Sequence, residues 1–309
     1  MVANRQVSDP ISLALRATAL ARTPGFNFPG HFLRLEYERV SARETRVALQ
    51  AGPHCADADG QVGIGPFALL ADMALAASFR GKVGRTSRIA TVSMGLQFTG
   101  APRTGRIVAL ACLDGFMEQG RERQGHARVE LRSGRKLVAT GQGAFMVLGL
   151  ANATAAHPLP RKGWMKDATI AESALTGPEA EVIALARRSL AARGPFIDRF
   201  WGYQPHRADR GASCTAWNGP HVGNRVGHAQ GGFTFGLAVA TANAALPAGW
   251  HLAGANAWYV GPGIGKHLTA RATVVHRGLA TAVVHTRIED EEQRGVLEVV
   301  TSHLHGKRA

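Results

Sequence analysis

A single carboxylate interrupts an otherwise apolar stretch in the first half of the chain. Asp72 is the only charged residue in the segment 66–78, where alanine, leucine and methionine surround it. Burying an unpaired carboxylate costs on the order of several kcal/mol, so this aspartate needs either a function or a hydrogen-bonding partner. A carboxylate in such a place can act as a general base on water or as a nucleophile. The structural alternative is an aspartate satisfied by a backbone N–H.

A polar segment with two glycines lies in the second half. Asn224 precedes Gln230 by six positions, and Gly231 and Gly232 then open an apolar segment, 233–246, that is typical of a buried helix. The N–H groups at a helix N-terminus can stabilise a carbonyl oxygen that becomes negative, and glycine lets a ligand approach closely. Asn224 and Gln230 could add a neutral donor or position water. The alternatives are an Asx-turn for Asn224 and a plain loop position for Gln230.

The elements that must position these residues follow from hydrophobic periodicity. In the first half, segment 91–98 alternates apolar and polar residues and predicts a half-buried strand. Pro66 at the first turn favours a helix over residues 66–78. The remaining strands of this half are predicted within 32–50, as two short strands, and over 107–113, 127–131 and 137–147.

The second half repeats this order. A helix over 233–246 is followed by strands over 256–260 and 268–276. Two more strands are predicted, one across Gly278 and one across Glu291 to Gly295. Gly65 and Gly232, at the two helix starts, are 167 positions apart, and the turns at Gly100 and Gly261 are 161 apart. This spacing indicates a tandem duplication, because a solenoid would have a much shorter period.

One buried helix wrapped by a meandering antiparallel sheet is the hot-dog architecture, and the chain resembles the PaaI-like acyl-CoA thioesterases of that superfamily. The resemblance covers residues 32–148 and 196–305. It implies an α+β double hot-dog with two central helices side by side and antiparallel, and with the two sheets joined. The predicted domains are an N-terminal hot-dog over 1–149, a linker and connecting helix over 150–195, and a C-terminal hot-dog over 196–309.

The family signature is Asn, five residues, His-Gly-Gly, and an acid nine residues beyond the His. The second copy keeps Asn224 and both glycines, but Gln230 replaces the His and Val239 stands at the acid position. The first copy has Asp57 for Asn and Gly63-Ile64-Gly65 for His-Gly-Gly, yet Asp72 occupies the acid position.

In this family the active site lies between two units, so the resemblance implies one complete site. The first copy would supply Asp72 as general base or nucleophile. The second would supply Asn224, Gln230 and the N–H of Gly231 as oxyanion donor, with Gly232 at the substrate. We expect Asp72 within about 10 Å of Gly231, the limit of water-bridged reach. The reciprocal site, which pairs segment 63–65 with Val239, is predicted to be inactive.

Charge and composition are compatible with a CoA ester as substrate. The 309 residues include 36 Lys and Arg against 22 Asp and Glu, so the net charge of +14 favours an anionic partner. Arg80, Lys82, Arg85 and Arg88 follow the helix that carries Asp72, and they are candidates for binding the CoA phosphates. Aromatic residues make up only 6% of the chain, which argues against a nucleic-acid partner.

Several other classes are disfavoured. The three cysteines are scattered, and the 13 histidines show no metal-binding spacing, so neither a disulfide framework nor a metal or other cofactor is predicted. His228 is out of register with the signature and is interpreted as non-catalytic. No signal peptide is visible, and the apolar run 231–246 is shorter than the roughly 18 residues of a membrane span. A cytoplasmic protein without a membrane span is expected.

Two other functions are compatible with the sequence, and the oligomeric state is not determined by it. A catalytically silent protein that binds acyl-CoA or an acyl carrier would explain the missing His and the missing second acid. An enoyl-CoA hydratase or dehydratase would use the same fold. The run from Phe28 to Phe32 resembles the loop of hot-dog dehydratases, but Asp72 lies 41 residues after His31 with strands between, so we interpret this match as chance. Two such double hot-dogs could pair into a homodimer.

Overall fold

The computed structural model describes residues 9–120, 122–148 and 168–306. The first half contains α1 (Pro10–Ala21), α2 (Phe28–Phe32), β1 (Glu36–Arg39), β2 (Thr45–Gln50), α3 (Ile64–Val83), β3 (Arg88–Phe98), β4 (Arg106–Gln119), β5 (Glu122–Ser133) and β6 (Lys136–Leu148). The second half contains α4 (Gly177–Ala191), α5 (Phe196–Phe200), β7 (His206–Ala208), β8 (Gly211–Trp217), α6 (Gly231–Ala245), β9 (Trp250–Tyr259), β10 (His267–Arg277), β11 (Thr281–Asp290) and β12 (Gly295–His305). The two halves therefore present the same elements in the same order.

The twelve strands of the described residues form one antiparallel sheet, and the order of equivalent strands is the same from either edge. The order is β1-β2-β4-β5-β6-β3-β9-β12-β11-β10-β8-β7. β3 and β9 join the halves, and Gly95 lies opposite Asn256 at the centre of their pairing. A Cβ at Gly95 would lie 2.5 Å from Asn256 Oδ1, so the glycine leaves room for the Asn256 side chain. The prediction that the two sheets join into one is confirmed.

The helices α3 and α6 lie on the same face of this sheet, each over its own half. α3 packs on β2, β4 and β5, and α6 packs on β8, β10 and β11. The two helices cross with Gly232 against Leu69 and Gly236 against Gly65, which makes them antiparallel. A Cβ at Gly232 would overlap the Leu69 backbone. Glycine therefore allows the close approach that brings the start of α6 to the middle of α3.

Both central helices are apolar on nearly every side because each is enclosed by sheet and helices. In α3, residues 65–79 are all buried, and Asp72 and Ser78 are the polar ones among them. A helix that is hydrophobic all round belongs in a core. The core is continuous across both halves. A charged side chain inside it loses its hydration and therefore destabilises the fold unless it is hydrogen-bonded or paired.

Several sequence-based boundaries are corrected by the structure. Segment 28–32 is helical, with the Asn27 side chain capping it through the N–H of Gly30, so the first strand begins only at Glu36. The predicted helix 66–78 extends over Ile64–Val83 and ends at Gly84, whose φ of +99° suits glycine. Helices α1 and α5 and strands β7 and β8 were not predicted.

The predicted connector contains an element of the repeat. The helix predicted over 178–193 is α4, which a capping box of Thr176 and Glu179 starts at Gly177. α4 packs on α1 and precedes α5 as α1 precedes α2, so it has the same place in the second half as α1 has in the first. Most of the predicted linker, residues 150–166, lies outside the described residues.

Candidate functional site

The carboxylate of Asp72 is buried where the two halves meet, with 3% of the residue exposed. Its Oδ2 accepts a hydrogen bond from Nε2 of Gln230 at 2.9 Å. Its Oδ1 accepts one from the hydroxyl of Thr91 at 3.3 Å, and the backbone N–H of Gly232 also donates to the carboxylate. The first half thus supplies the acid and one donor, and the second half supplies an amide and a helix N–H.

The antiparallel crossing of α3 and α6 creates this meeting point. It places the N-terminus of α6, whose first N–H groups have no partner within the helix, beside the middle of α3. A Cβ on Gly231 would lie 3.1 Å from Oδ2 of Asp72 and 3.2 Å from the ring of Tyr259. The expectation that Asp72 lies within about 10 Å of Gly231 is confirmed, and a larger side chain at 231 would fill the space next to the carboxylate.

Burial dominates the acidity of Asp72. It raises the pKa of this carboxyl from 3.8 to about 6, because the charged form loses its hydration. The Thr91 hydroxyl, the charge of Arg80 and the N–H of Gly232 act in the opposite direction and lower the pKa. The balance leaves a carboxyl that is mostly ionised at neutral pH and is a stronger base than an exposed aspartate. This is the range that suits general-base work.

Gln230 forms the N-cap of α6 and is buried. Its own N–H donates to the Val222 carbonyl, and its carbonyl accepts from the N–H of Thr234. These backbone contacts fix the side chain so that Nε2 reaches Asp72 and also lies 3.4 Å from Sδ of Met73. The structure therefore brings together Asp72, Gln230, Gly231 and Gly232 from the predicted set. Gly232, which was predicted at the substrate, instead packs against the Leu69 backbone and donates its N–H to Asp72.

Asn224 serves the loop that leads to this N-cap. Its Oδ1 accepts the N–H groups of Val226 at 2.9 Å and His228 at 3.1 Å, which is an Asx-type turn. In the first half, Asp57 Oδ1 accepts the N–H groups two and four residues further on in the same way. Asn224 borders the site, and its side-chain oxygen holds the loop rather than pointing to Asp72.

Three side chains that contact Asp72 or the Gly231 carbonyl were not predicted. Thr91 lies on the polar face of the alternating segment 91–98, and that face was the only signal available. The hydroxyl of Tyr259 donates to the Gly231 carbonyl at 3.0 Å, and the hydroxyl of Thr234 donates to the same oxygen at 3.0 Å. These two contacts orient the first peptide of α6, and no sequence signal links Tyr259 to a glycine 28 positions before it.

The corresponding positions of the other half are apolar. Val239 has the place in α6 that Asp72 has in α3, and it is fully buried. In β9, Leu252 is the residue equivalent to Thr91 of β3, because it follows Thr91 by the repeat spacing of 161 positions. This half therefore has neither the acid nor its hydroxyl donor.

Aromatic side chains and an ion pair occupy the region around the start of α3. A Cβ on Gly65 would lie 2.6 Å from the ring of Tyr203 and 2.9 Å from that of Trp201, so no free space adjoins this glycine. Asp57 pairs with Arg103 at 2.8 Å across the preceding loop. The two helix starts thus differ in chemistry although they have the same backbone order.

A cavity of about 450 Å³ opens beside Asp72 and is lined by both halves. One face of α3 contributes Asp72, Met73, Ala76 and Arg80 to its wall. The start of α6 and the preceding loop line the opposite side, together with the end of β9 and the turn after it. Gln230, Gly231, Thr234, Tyr259 and residues 260–263 belong to this second group.

The four predicted basic residues separate into two groups. Arg80 and Arg88 line the cavity, together with Arg225, which was not predicted. Lys82 and Arg85 are exposed and do not line it, so the four do not form one cluster. Burial lowers the pKa of Arg80 to about 10, and the charge of Arg225 acts in the same direction. The deepest cation of the cavity is therefore Arg80.

Two further observations concern residues 9–120, 122–148 and 168–306. No group of three or more His, Cys, Asp or Glu side chains among them is arranged to hold a metal ion. None of the helices within these ranges is both long enough and apolar enough to cross a membrane.

The architecture matches known hot-dog structures, with low sequence identity. A TesB protein of Mycobacterium avium subsp. paratuberculosis is 14% identical, with 96% of this chain and 100% of that chain covered at a TM-score of 0.53. A provisionally assigned oleoyl thioesterase from Lactobacillus plantarum is 10% identical, with 86% of this chain and 98% of that chain covered at a TM-score of 0.54. A hot-dog protein of unknown function from Alicyclobacillus acidocaldarius is 9% identical, covering 89% and 96% at 0.54. The chain therefore has the hot-dog fold. No family model and no curated protein matches the sequence.

Proposed function

We propose that the protein hydrolyses an acyl-CoA thioester at one site shared by its two halves. The observation that carries the proposal is the contact between Asp72 of α3 and Gln230 at the N-cap of α6, 2.9 Å apart beside a cavity lined by both halves. Thioesterases among the solved structures with this fold add support.

In the proposed reaction, Asp72 takes a proton from water as the water attacks the thioester carbonyl. The C–S bond then breaks, and CoA leaves as its thiol with the proton that Asp72 took. In the other form of the mechanism, the carboxylate itself attacks, the C–S bond breaks, and CoA leaves as a thiolate that water protonates. Water then hydrolyses the anhydride, which releases the acid and regenerates Asp72. The carbonyl oxygen becomes negative in both. The N–H of Gly231, aided by the dipole of α6, and the amide of Gln230 would stabilise it. Arg88 and Arg225 at the same cavity are the proposed contacts for CoA phosphates, with Lys82 and Arg85 on the surface beyond it.

We further propose that the chain is a PaaI-like tandem duplication that retained one of two sites. The units are then α1 to β6 and α4 to β12. Val239→Asp combined with Asp72→Asn is expected to yield no new turnover. At residue 239 the new carboxylate would have no hydroxyl donor, because Leu252 replaces the threonine, and the ring of Tyr203 fills the space beside Gly65. Measurable thiol release by this double variant would contradict the single-site proposal. A cytoplasmic location and a homodimer of double hot-dogs remain predictions.

A silent acyl-CoA or acyl-carrier binding protein is the second candidate. The observation in its favour is that both Asp72 oxygens already accept hydrogen bonds, from Thr91, Gln230 and Gly232. This is the arrangement expected of a carboxylate that is satisfied structurally. A hydratase would use the same cavity on an enoyl-CoA.

Thiol release from a panel of acyl-CoA esters separates these functions. Native protein should release thiol, and Asp72→Asn should lower the rate by about 10²–10⁴-fold, the usual contribution of a general acid or base. Asp198→Asn is the matched control, since burial also raises the pKa of Asp198 to about 6 and it does not line the cavity. Binding of the esters without thiol release by native protein would favour the silent binder. Loss of enoyl absorbance without thiol release would favour the hydratase.

A further inference from the structure

The deepest cation of the cavity has no anionic partner among the described residues. Arg80 lines the cavity, its Nε atom is fully buried, and that atom has no hydrogen-bond partner. No described carboxylate lies within ion-pair distance of its guanidinium, although the charges of Arg80 and Asp72 influence each other. A charged group removed from water is costly unless it is paired. Arg80 can therefore bind an anion that residues 9–120, 122–148 and 168–306 do not supply.

The charges around the cavity also favour an anionic ligand. Arg80, Arg88 and Arg225 line it, whereas Asp72 is the one carboxylate among the described lining residues. The three arginines are close enough to influence one another. The charge of Arg225 lowers the pKa of Arg80, and the charge of Arg88 lowers the pKa of Arg225. Clefts lined by one sign of charge concentrate ligands of the opposite sign.

The position of Arg80 indicates which part of the ligand is anionic. Asp72, Ala76 and Arg80 follow one another at intervals of four residues, so they lie on one face of α3. The two turns from 72 to 80 span about 12 Å of helix axis, and long side chains on a helix lean toward its N-terminus. The guanidinium thus reaches back toward the reacting carbonyl. Ala76 is small and leaves room between the two charged groups, so a short chain can lie along it.

We propose that the preferred acyl group carries a second carboxylate, a few carbons from the thioester carbonyl, which Arg80 binds. The substrate class is then the CoA monothioesters of short dicarboxylic acids. This inference rests on the proposed hydrolysis at Asp72 and specifies the acyl half of the substrate. The phosphates of CoA are the other possible source of an anion. However, Arg80 is the deepest cation of the cavity and is two helical turns from Asp72. The phosphates, at the far end of the long pantetheine arm, are proposed to contact Arg88 and Arg225 instead.

The test compares thioesters matched in length, glutaryl-CoA with pentanoyl-CoA, by kcat/KM for thiol release. We expect native protein to prefer the glutaryl ester by about 10–100-fold, the factor expected of a hydrogen bond between charged groups. Arg80→Met should bring the ratio close to one, and Arg80→Lys should restore part of it. Arg199→Met is the matched control, because Arg199 also has a buried, unpartnered Nε and does not line the cavity. It should leave the ratio at the native value.

The same acyl groups on N-acetylcysteamine, which has no phosphates, identify the source of the anion. If Arg80 binds the acyl carboxylate, the preference and its loss in Arg80→Met should be the same on both carriers. A loss confined to CoA esters, equal for the two acyl groups, would assign Arg80 to a phosphate and overturn the inference. Native protein without a preference for glutaryl-CoA would also overturn it while leaving the proposed function intact. Absence of thiol release from every ester would instead refute the proposed function.

Discussion

Thr91 offers the most specific test of how the protein sets the basicity of Asp72. Its hydroxyl donates to Oδ1 at 3.3 Å and lowers the pKa of a carboxyl that burial raises to about 6. Thr91→Val keeps the shape of the side chain and removes this donor. A hydrogen bond to a charged group contributes about 1.5–3 kcal/mol, and the long distance favours the lower end. Since one pKa unit corresponds to about 1.4 kcal/mol, the pKa should rise by about one unit.

The assay is the pH dependence of kcat/KM for thiol release, corrected for uncatalysed hydrolysis. Native protein should gain activity through about pH 6, so the rate at pH 5 is about one tenth of the plateau. This rise in activity with pH is the acidic limb of the profile. In Thr91→Val the acidic limb should have its midpoint near pH 7, where the rate is about half of that variant's plateau.

Thr234→Val is the control for this shift. Its hydroxyl lines the same cavity and bonds to the Gly231 carbonyl rather than to the carboxylate, so the limb should stay near pH 6. A folded Thr91→Val protein with an unshifted limb would refute the assignment of the limb to Asp72 or of the donor to Thr91.

Three stability measurements probe the same architecture. At pH values above 6, Asp72→Asn should have a higher melting temperature than native protein. The carboxyl has a pKa of about 6 in the folded protein against 3.8 when unfolded, so its ionisation lowers the free energy of unfolding by up to about 3 kcal/mol. An unchanged or lower melting temperature of the variant at pH 8 would contradict this. His221 is buried against Trp217 with its pKa lowered to about 3, so stability should fall as pH drops below 6.5, and His221→Phe should make chemical denaturation midpoints less pH-dependent between pH 6.5 and 4; an unaltered dependence would count against a neutral buried histidine. Gly232→Ala should lower the denaturation midpoint by an amount equivalent to about 1–3 kcal/mol, since its Cβ overlaps the Leu69 backbone, and a neutral effect would mean that the helices can separate without loss.

Local patterns predicted the parts of the fold that depend on neighbouring residues. The alternation over 91–98 predicted β3, and the apolar segment around Asp72 predicted the central helix. The first of the two strands predicted within 32–50 was placed too early, because Asn27 caps a short helix over Phe28–Phe32 and the strand forms only from Glu36. Alternation over a few residues does not distinguish a strand from the end of a buried helical turn.

Contacts between distant residues were predictable only through the duplicated motif. The resemblance to the PaaI-like thioesterases, whose active site lies between two units, implied that Asp72 and Gln230 meet across the halves. Arg225 and Tyr259 could not be found in this way, because each reaches the cavity through a loop or strand end whose position depends on packing of the whole sheet. A lone arginine or tyrosine at such an end has no periodic signal of its own.

A crystal structure with a 2-oxoalkyl-CoA, in which a methylene separates the sulfur from the carbonyl and prevents hydrolysis, would show whether the two halves share one site. We expect one analogue per chain, with its carbonyl oxygen at hydrogen-bond distance from the Gly231 N–H. A water, or the carbonyl carbon itself, should face the Asp72 carboxylate. The analogue should lie in the cavity between α3 and the start of α6. An analogue bound beside Val239 and Gly65, or bound with its carbonyl away from Asp72, would contradict a single site shared by the two halves.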